Sequence, residues 1–122
     1  MKITTKGRYA LRVMIDLAEN ADKGVLPLRG ISERQEVSLK YLEQIMTLLS
    51  ESGLVVGTRG SGGGYRLAKP AVEITAAEIL SAVERGDDLS LEEDRNLKAA
   101  AFWQELQKTV SDFLTGRTLE EI

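Results

Sequence analysis

The chain of 122 residues contains no cysteine and no histidine. Without thiols there are no disulfides, no Cys₄ clusters and no cysteine nucleophile. Without imidazoles the commonest general base and most transition-metal ligands are missing as well. Carboxylates and hydroxyls remain, but no paired acids stand in a cleft-like pattern, so the sequence reads as a non-enzyme with no catalytic or metal-binding residues. Long apolar runs are missing too. None approaches the roughly 18 residues that a membrane span needs, and no signal-peptide pattern opens the chain. No membrane partner is expected, and the expected compartment is the cytoplasm. Repeats and low-complexity tails are also absent.

What is there fits one domain plus an appendage rather than two independent cores. Net charge is −3, which by itself argues weakly against a nucleic-acid partner. The average conceals an asymmetry. Residues 1–70 carry 11 Lys/Arg against 7 Asp/Glu, net +4, while residues 71–122 carry 5 against 12, net −7. A basic front half suits contact with a polyanion, and an acidic back half suits another task.

Helical periodicity begins at once. "TKGRYALRVMIDLAEN", 5–20, repeats Tyr9, Val13 and Leu17 at helical spacing, with Ala10, Met14 and Ala18 widening the stripe. After a turn marked by Gly24 and Pro27 comes a short helix candidate, "LRGISERQ", 28–35. The next, "VSLKYLEQIMTLLSESG", 37–53, has Ser38 as N-cap and Gly53 as its stop. Leu39, Leu42, Met46 and Leu49 are expected to form its inward face. Two helices joined by about three residues, the second well capped, match a helix-turn-helix at about 28–52.

Beyond Gly53 the period changes. "LVVGTR" and "YRLAK" read as a hairpin with about five residues per strand, a wing spanning 54–69. "TAAEILSAVERG", 75–86, is a helix with a capping box in which Thr75 caps and Glu78 sits at N3. The acidic stretch "DDLSLEED" separates it from a long amphipathic helix, 95–116, and "TLEEI" reads as a closing helical turn. The fold class is therefore mainly α with a small β-hairpin: a winged helix-turn-helix over 1–86, then an acidic linker and a long C-terminal helix over 87–122.

The glycine cluster "GSGGG", 60–64, invites a nucleotide-binding reading that its context refuses. A Walker loop needs Lys-Ser/Thr and then a helix. A Rossmann fingerprint must open a helix. Here Tyr65 and a strand follow. A flexible hairpin turn accounts for the glycines, since Gly adopts positive φ without steric cost. Arg59 before the cluster and Arg66 after it also admit a wing tip entering a DNA minor groove, where narrow A·T segments concentrate negative potential.

The outward face of the 37–53 helix carries Lys40, Gln44 and Thr47, with Tyr41 and Glu43 on its flanks and Ser38 at its start. Gln can pair with adenine, Lys with guanine or phosphate, and Glu can accept from cytosine. A solvated helix face would carry the same residues. Lys2, Lys6 and Arg8 crowd the first helix N-terminus, where cations oppose the helix dipole. A phosphate partner would offset that cost, and a plain solvated terminus is the alternative.

"TKGRYALRVMIDLA", "ISERQEVSLKYLEQIMTLLSESGLV" and "RGSGGGYRLAK" together resemble the Rrf-two family of bacterial winged-helix transcription regulators. That family includes the iron–sulfur cluster regulator, the nitric-oxide-sensitive repressor and the cysteine-metabolism repressor. The resemblance spans essentially the whole chain. It implies a homodimeric, sequence-specific regulator, most often a repressor, on a pseudo-palindromic double-stranded DNA operator. Carried over by motif position, it implies that Ser38, Lys40, Tyr41, Glu43 and Gln44 read the major groove. Arg59 and Gly60, with Ser61 and Gly62 beside them, would form the minor-groove wing. Thr5, Lys6 and Tyr9 would lie on the phosphate side. The long helix would dimerise through Phe102, Trp103, Leu106, Val110, Phe113 and Leu114.

One departure stands out. Many members of the family ligate an iron–sulfur cluster through three cysteines before the long helix. Here the matching segment, "DDLSLEEDRNLKAAAFW", has none, so no cofactor is expected. Asp87, Asp88, Glu92, Glu93 and Asp94 read as a solvated acidic loop rather than a hard-metal site. The likeness then points to the cluster-free branch with the cysteine-metabolism repressor, and to a regulatory partner enzyme of cysteine biosynthesis or a small-molecule signal. The alternative function is a protein-interaction module on a winged-helix scaffold that no longer reads DNA.

Overall fold

The computed structural model describes residues 3–84 and 95–122. Lys2, the last two residues expected in the 75–86 helix, and the acidic residues Asp87, Asp88, Glu92, Glu93 and Asp94 lie outside the described residues.

Five helices and one hairpin follow in the expected order: α1 (Thr5–Glu19), α2 (Leu28–Gln35), α3 (Leu39–Glu51), β1 (Val55–Thr58), β2 (Gly64–Leu67), α4 (Ala76–Val83) and α5 (Leu97–Gly116). Short 3-10 turns at Ala21–Lys23, Ala71–Glu73 and Leu119–Glu121 punctuate the connections. The local signals explain the boundaries. Thr4 caps α1 by accepting from the Gly7 N–H, and Ser38 caps α3 by accepting from the Tyr41 N–H. Gly53, at φ 76°, turns the chain out of α3. Thr75 and Glu78 form the capping box that starts α4.

The strands are antiparallel with Val55 opposite Leu67 and Thr58 opposite Gly64. Each has four residues rather than five. On its other edge β2 gains one isolated bridge, to Leu26. Leu26 N–H donates to the Tyr65 carbonyl at 2.8 Å and Tyr65 N–H donates back to the Leu26 carbonyl at 2.9 Å.

The core collects Val13, Met14 and Leu17 of α1, Ile31 of α2, Leu42, Ile45, Met46 and Leu49 of α3, and Ile79 of α4. Leu119, from the C-terminal turn, is buried in the same core. It is held there by its N–H donating to the Ile74 carbonyl at 2.7 Å, while Ala76 N–H donates to the Arg117 carbonyl at 2.8 Å. No residue of α5 is buried, and the chain rejoins the core at Leu119. Among the described residues, no helix is long and apolar enough to cross a membrane.

Candidate nucleic-acid interface

α3 buries Leu42, Ile45, Met46 and Leu49. One expectation for its inward face is corrected. Leu39 is 38% exposed and Ile45 takes its place in the core. Leu39 is the first residue of α3 and sits at the edge of the apolar arc. On the other side Ser38, Lys40, Glu43, Gln44 and Thr47 are exposed. Thr47 already donates its hydroxyl to the Glu43 carbonyl at 2.9 Å. Four of the five major-groove candidates therefore face solvent from a capped helix.

The fifth, Tyr41, is half-buried. Its ring meets that of Tyr9 edge to face, with centroids 5.8 Å apart and planes at 85°. The Arg12 guanidinium lies 5.2 Å from the Tyr9 centroid. Burial pushes the Tyr41 hydroxyl above its ordinary pKa, and the nearby Tyr9 and Glu84 add to the shift. Tyr9 and Tyr41 came from two different sets of candidates. The fold brings them together, so the N-terminal ends of α1 and α3 share a clasp. Thr5 is exposed and Lys6 half-buried on that same end of α1.

The start of α1 is fixed by a residue that the sequence reading overlooked. Glu84, just past α4, is only 7% exposed. Its Oε1 accepts from the Thr4 backbone N–H at 3.1 Å, and the Thr4 hydroxyl donates to the carboxylate at 2.8 and 2.9 Å. The carboxylate lies over Gly7, where a Cβ would overlap Glu84 Oε1. A carboxylate at a helix N-terminus is also favoured by the helix dipole. Glu84 was legible only as one more acid, because its partner lies 80 residues away.

A second overlooked acid orients the helix-turn-helix. Asp16 borders the apolar stripe of α1, and its side chain is 2% exposed. Arg34 donates to it through Nε at 2.9 Å and Nη2 at 2.8 Å, and Gln35 donates at 2.7 Å. Burial alone would raise the Asp16 pKa. The hydrogen bonds from Arg34, Gln35 and Asn20, with the Arg34 charge, outweigh it and hold the carboxyl below the ordinary aspartate range. Arg12 reaches the same helix end, donating to the Gln35 carbonyl at 3.2 Å. The turn into α3 then passes through Glu36 at φ 51°, a left-handed conformation uncommon outside glycine.

In the wing, Arg59, Gly60, Ser61 and Gly62 are all exposed. Gly60 and Gly62 have φ of 89° and 78°, and nothing lies within 4 Å of where a Cβ would stand. Gly63 N–H closes the turn on the Gly60 carbonyl at 2.9 Å. The remaining glycines serve the hairpin itself. A Cβ on Gly63 would overlap the Thr58 carbonyl, and one on Gly64 would overlap the Leu26 carbonyl. Arg66 is exposed and turns back to donate to the Leu67 carbonyl at 3.2 Å.

Along α5 no residue is buried. Phe102, Trp103, Leu106 and Phe113 are exposed, and Val110 and Leu114 are half-buried. Phe102 and Trp103 meet edge to face at 4.9 Å, and Arg117 stacks 4.7 Å from the Phe113 centroid. Among the described residues no three acids gather as a metal site.

The Rrf2 family model, described as an iron-dependent transcriptional regulator, matches residues 3–122. The chain is 41% identical over 129 aligned positions to the HTH-type transcriptional regulator IscR of Photorhabdus laumondii, covering 100% of this chain and 79% of that one. CymR, the global cysteine regulator of B. subtilis, superposes with a TM-score of 0.88 at 35% identity, covering 99% of this chain and 95% of that one. IscR of T. potens superposes with a TM-score of 0.82 at 34% identity, covering 99% and 85%. Iron–sulfur ligation needs thiolate or imidazole donors, and this chain has neither. Its residues do not fit such a cluster.

Proposed function

The chain belongs to the Rrf2 family of helix-turn-helix transcriptional regulators, and from that premise we propose that it is a cytoplasmic homodimer that represses transcription at a pseudo-palindromic operator without an iron–sulfur cluster. It is a DNA-binding regulator and not an enzyme. The observation that carries the finer reading is α3. Capped by Ser38, it turns Lys40, Glu43 and Gln44 outward while Leu42, Ile45, Met46 and Leu49 anchor it. In this reading residues 1–86 contact DNA. Ser38, Lys40, Tyr41, Glu43 and Gln44 serve the major groove, with Tyr41 acting from its clasp with Tyr9. Arg59, Gly60, Ser61 and Gly62 serve the minor groove, and Thr5, Lys6 and Tyr9 the flanking phosphates.

Residues 87–122 supply the dimer contact. The partner of α5 is α5 of a second copy, since a 20-residue amphipathic helix with no buried residue gains its stability by covering that face. Likeness to the global cysteine regulator and the want of cluster ligands support control by a partner enzyme of cysteine biosynthesis or by a small molecule. Co-purification with mass spectrometry of bound proteins and metabolites tests that part.

The main test compares binding to a duplex from the chain's own promoter region with binding to random DNA, over a salt series. Preference for the promoter duplex is expected. Equal affinity removes the sequence-specific reading, and no binding to either returns the protein-interaction module. Arg59→Ala is expected to weaken binding mainly at sites with narrow A·T-rich minor grooves. A uniform loss would make Arg59 a phosphate contact instead.

A further inference from the structure

Glu84 is a buried carboxylate with no cation among its described hydrogen-bond and ion-pair partners. All of its described hydrogen bonds come from Thr4, the N-cap of α1. Gly7 makes room for it, because any side chain there would overlap Glu84 Oε1. The carboxylate also bears electrostatically on Tyr41, at the first turn of α3. One side chain from the end of α4 therefore touches the start of α1, and its charge is felt at the start of α3.

The turn it holds is the one that carries Thr5 and Lys6, with Tyr9 following on the clasp to Tyr41. We infer that Glu84 is a positioning residue for DNA binding: by holding Thr4 it sets the first turn of α1, and so Lys6 and Tyr9, at the height the phosphate backbone requires relative to α3. This rests on the DNA-binding reading above. Glu84 does not touch DNA itself, since it is buried and carries the wrong charge. It acts through geometry. A phosphate contact tolerates little displacement, because a charge-assisted hydrogen bond is lost within about 1 Å of misplacement.

The test measures affinity for the promoter duplex over a salt series, at a temperature where circular dichroism shows every variant folded. Glu84→Ala removes the carboxylate. Gly7→Ala leaves it in the chain but drives it from its seat, and displaces only the flexible end of a side chain. Each is expected to lower affinity about tenfold and to flatten the salt slope by about 1. Glu84→Gln keeps an oxygen that accepts from Thr4 and is expected to recover most of the loss. The deciding measurement is a double-mutant cycle with Lys6→Ala. If Glu84 acts by positioning, Glu84→Ala costs less than about threefold once Lys6 is gone. Losses that multiply, or variants that bind with unchanged affinity and slope, overturn the role while leaving the DNA-binding reading intact. A wild-type chain that binds neither duplex overturns both.

Discussion

Asp16 and Arg34 join α1 to α2 through two parallel hydrogen bonds of 2.9 and 2.8 Å, with the aspartate side chain 2% exposed and the arginine 46% exposed. The fork fixes an angle as well as a distance, because a planar guanidinium meets a planar carboxylate edge on. Asp16 titrates below its ordinary value of 3.8 in the folded chain. A depressed carboxyl contributes stability that is fully present above the unfolded value and is lost as pH falls through the folded one. Thermal melts should therefore show a loss below about pH 4 that Asp16→Asn removes. At pH 7 the same substitution should cost about 1–3 kcal/mol, since Arg34 can still turn to water. An unchanged melting profile at low pH would disprove the linkage.

Gly7 and Glu84 make a second pair whose energetics should reverse sign. In the wild-type chain Gly7→Ala dislodges the carboxylate from Thr4 and should destabilise by about 1–2 kcal/mol. In a Glu84→Ala background the space is open. The same change should then stabilise by about 0.5–1 kcal/mol, the ordinary gain of alanine over glycine in a helix. Urea unfolding of the four chains reads the cycle directly. Equal effects in both backgrounds would show that the overlap is relieved some other way.

The wing glycines should separate into two classes. Gly63→Ala and Gly64→Ala place a Cβ against the carbonyls of Thr58 and Leu26 and should cost about 2 kcal/mol or more. Gly60→Ala and Gly62→Ala meet open space and should cost only about 1 kcal/mol, for the positive φ. Melting temperatures of the four variants test the division, and a uniform cost would refute it.

α5 gives a prediction about mass. Phe102 and Leu106 are exposed in the single chain, and each apolar side chain of this size gains about 1.5–3 kcal/mol on burial. Leu106→Glu, or Phe102→Glu, should weaken self-association by at least about tenfold in sedimentation equilibrium. It should also remove the concentration dependence of the wild-type melting temperature. A wild-type chain that sediments as a monomer at all concentrations would exclude the dimer.

The local grammar of the fold was legible in the sequence. Ser38 and Gly53 bracket α3, and Thr75 with Glu78 opens α4, because caps act within one turn. What escaped was set by contacts between distant residues. Periodicity assigned Leu39 to the core, but at the first position of α3 and the edge of its apolar arc it stays 38% exposed. Nothing local marked Asp16 for burial, because its partners Arg34 and Gln35 lie 18 and 19 residues away. Leu26 gave no strand signal, since a single bridge to Tyr65 needs no β-rich run. Among the candidate site residues, Lys40, Glu43 and Gln44 could be placed on an outward face by counting. Tyr41 could not, because its position on the flank left open whether it met solvent or Tyr9.

The return of Leu119 to the core anchors one end of α5 as a beam is anchored. Its C-terminal end is tied by the Arg117–Ala76 and Leu119–Ile74 hydrogen bonds, and its 20 residues run about 30 Å from there. A tilt of about 10° at the tie would carry the far end through about 5 Å, more than the 3.4 Å rise of one base pair. In the proposed dimer α5 meets the other subunit, so the tie would act as a fulcrum. Two backbone hydrogen bonds and one leucine would then set whether a pair of reading heads falls in step with successive turns of the double helix.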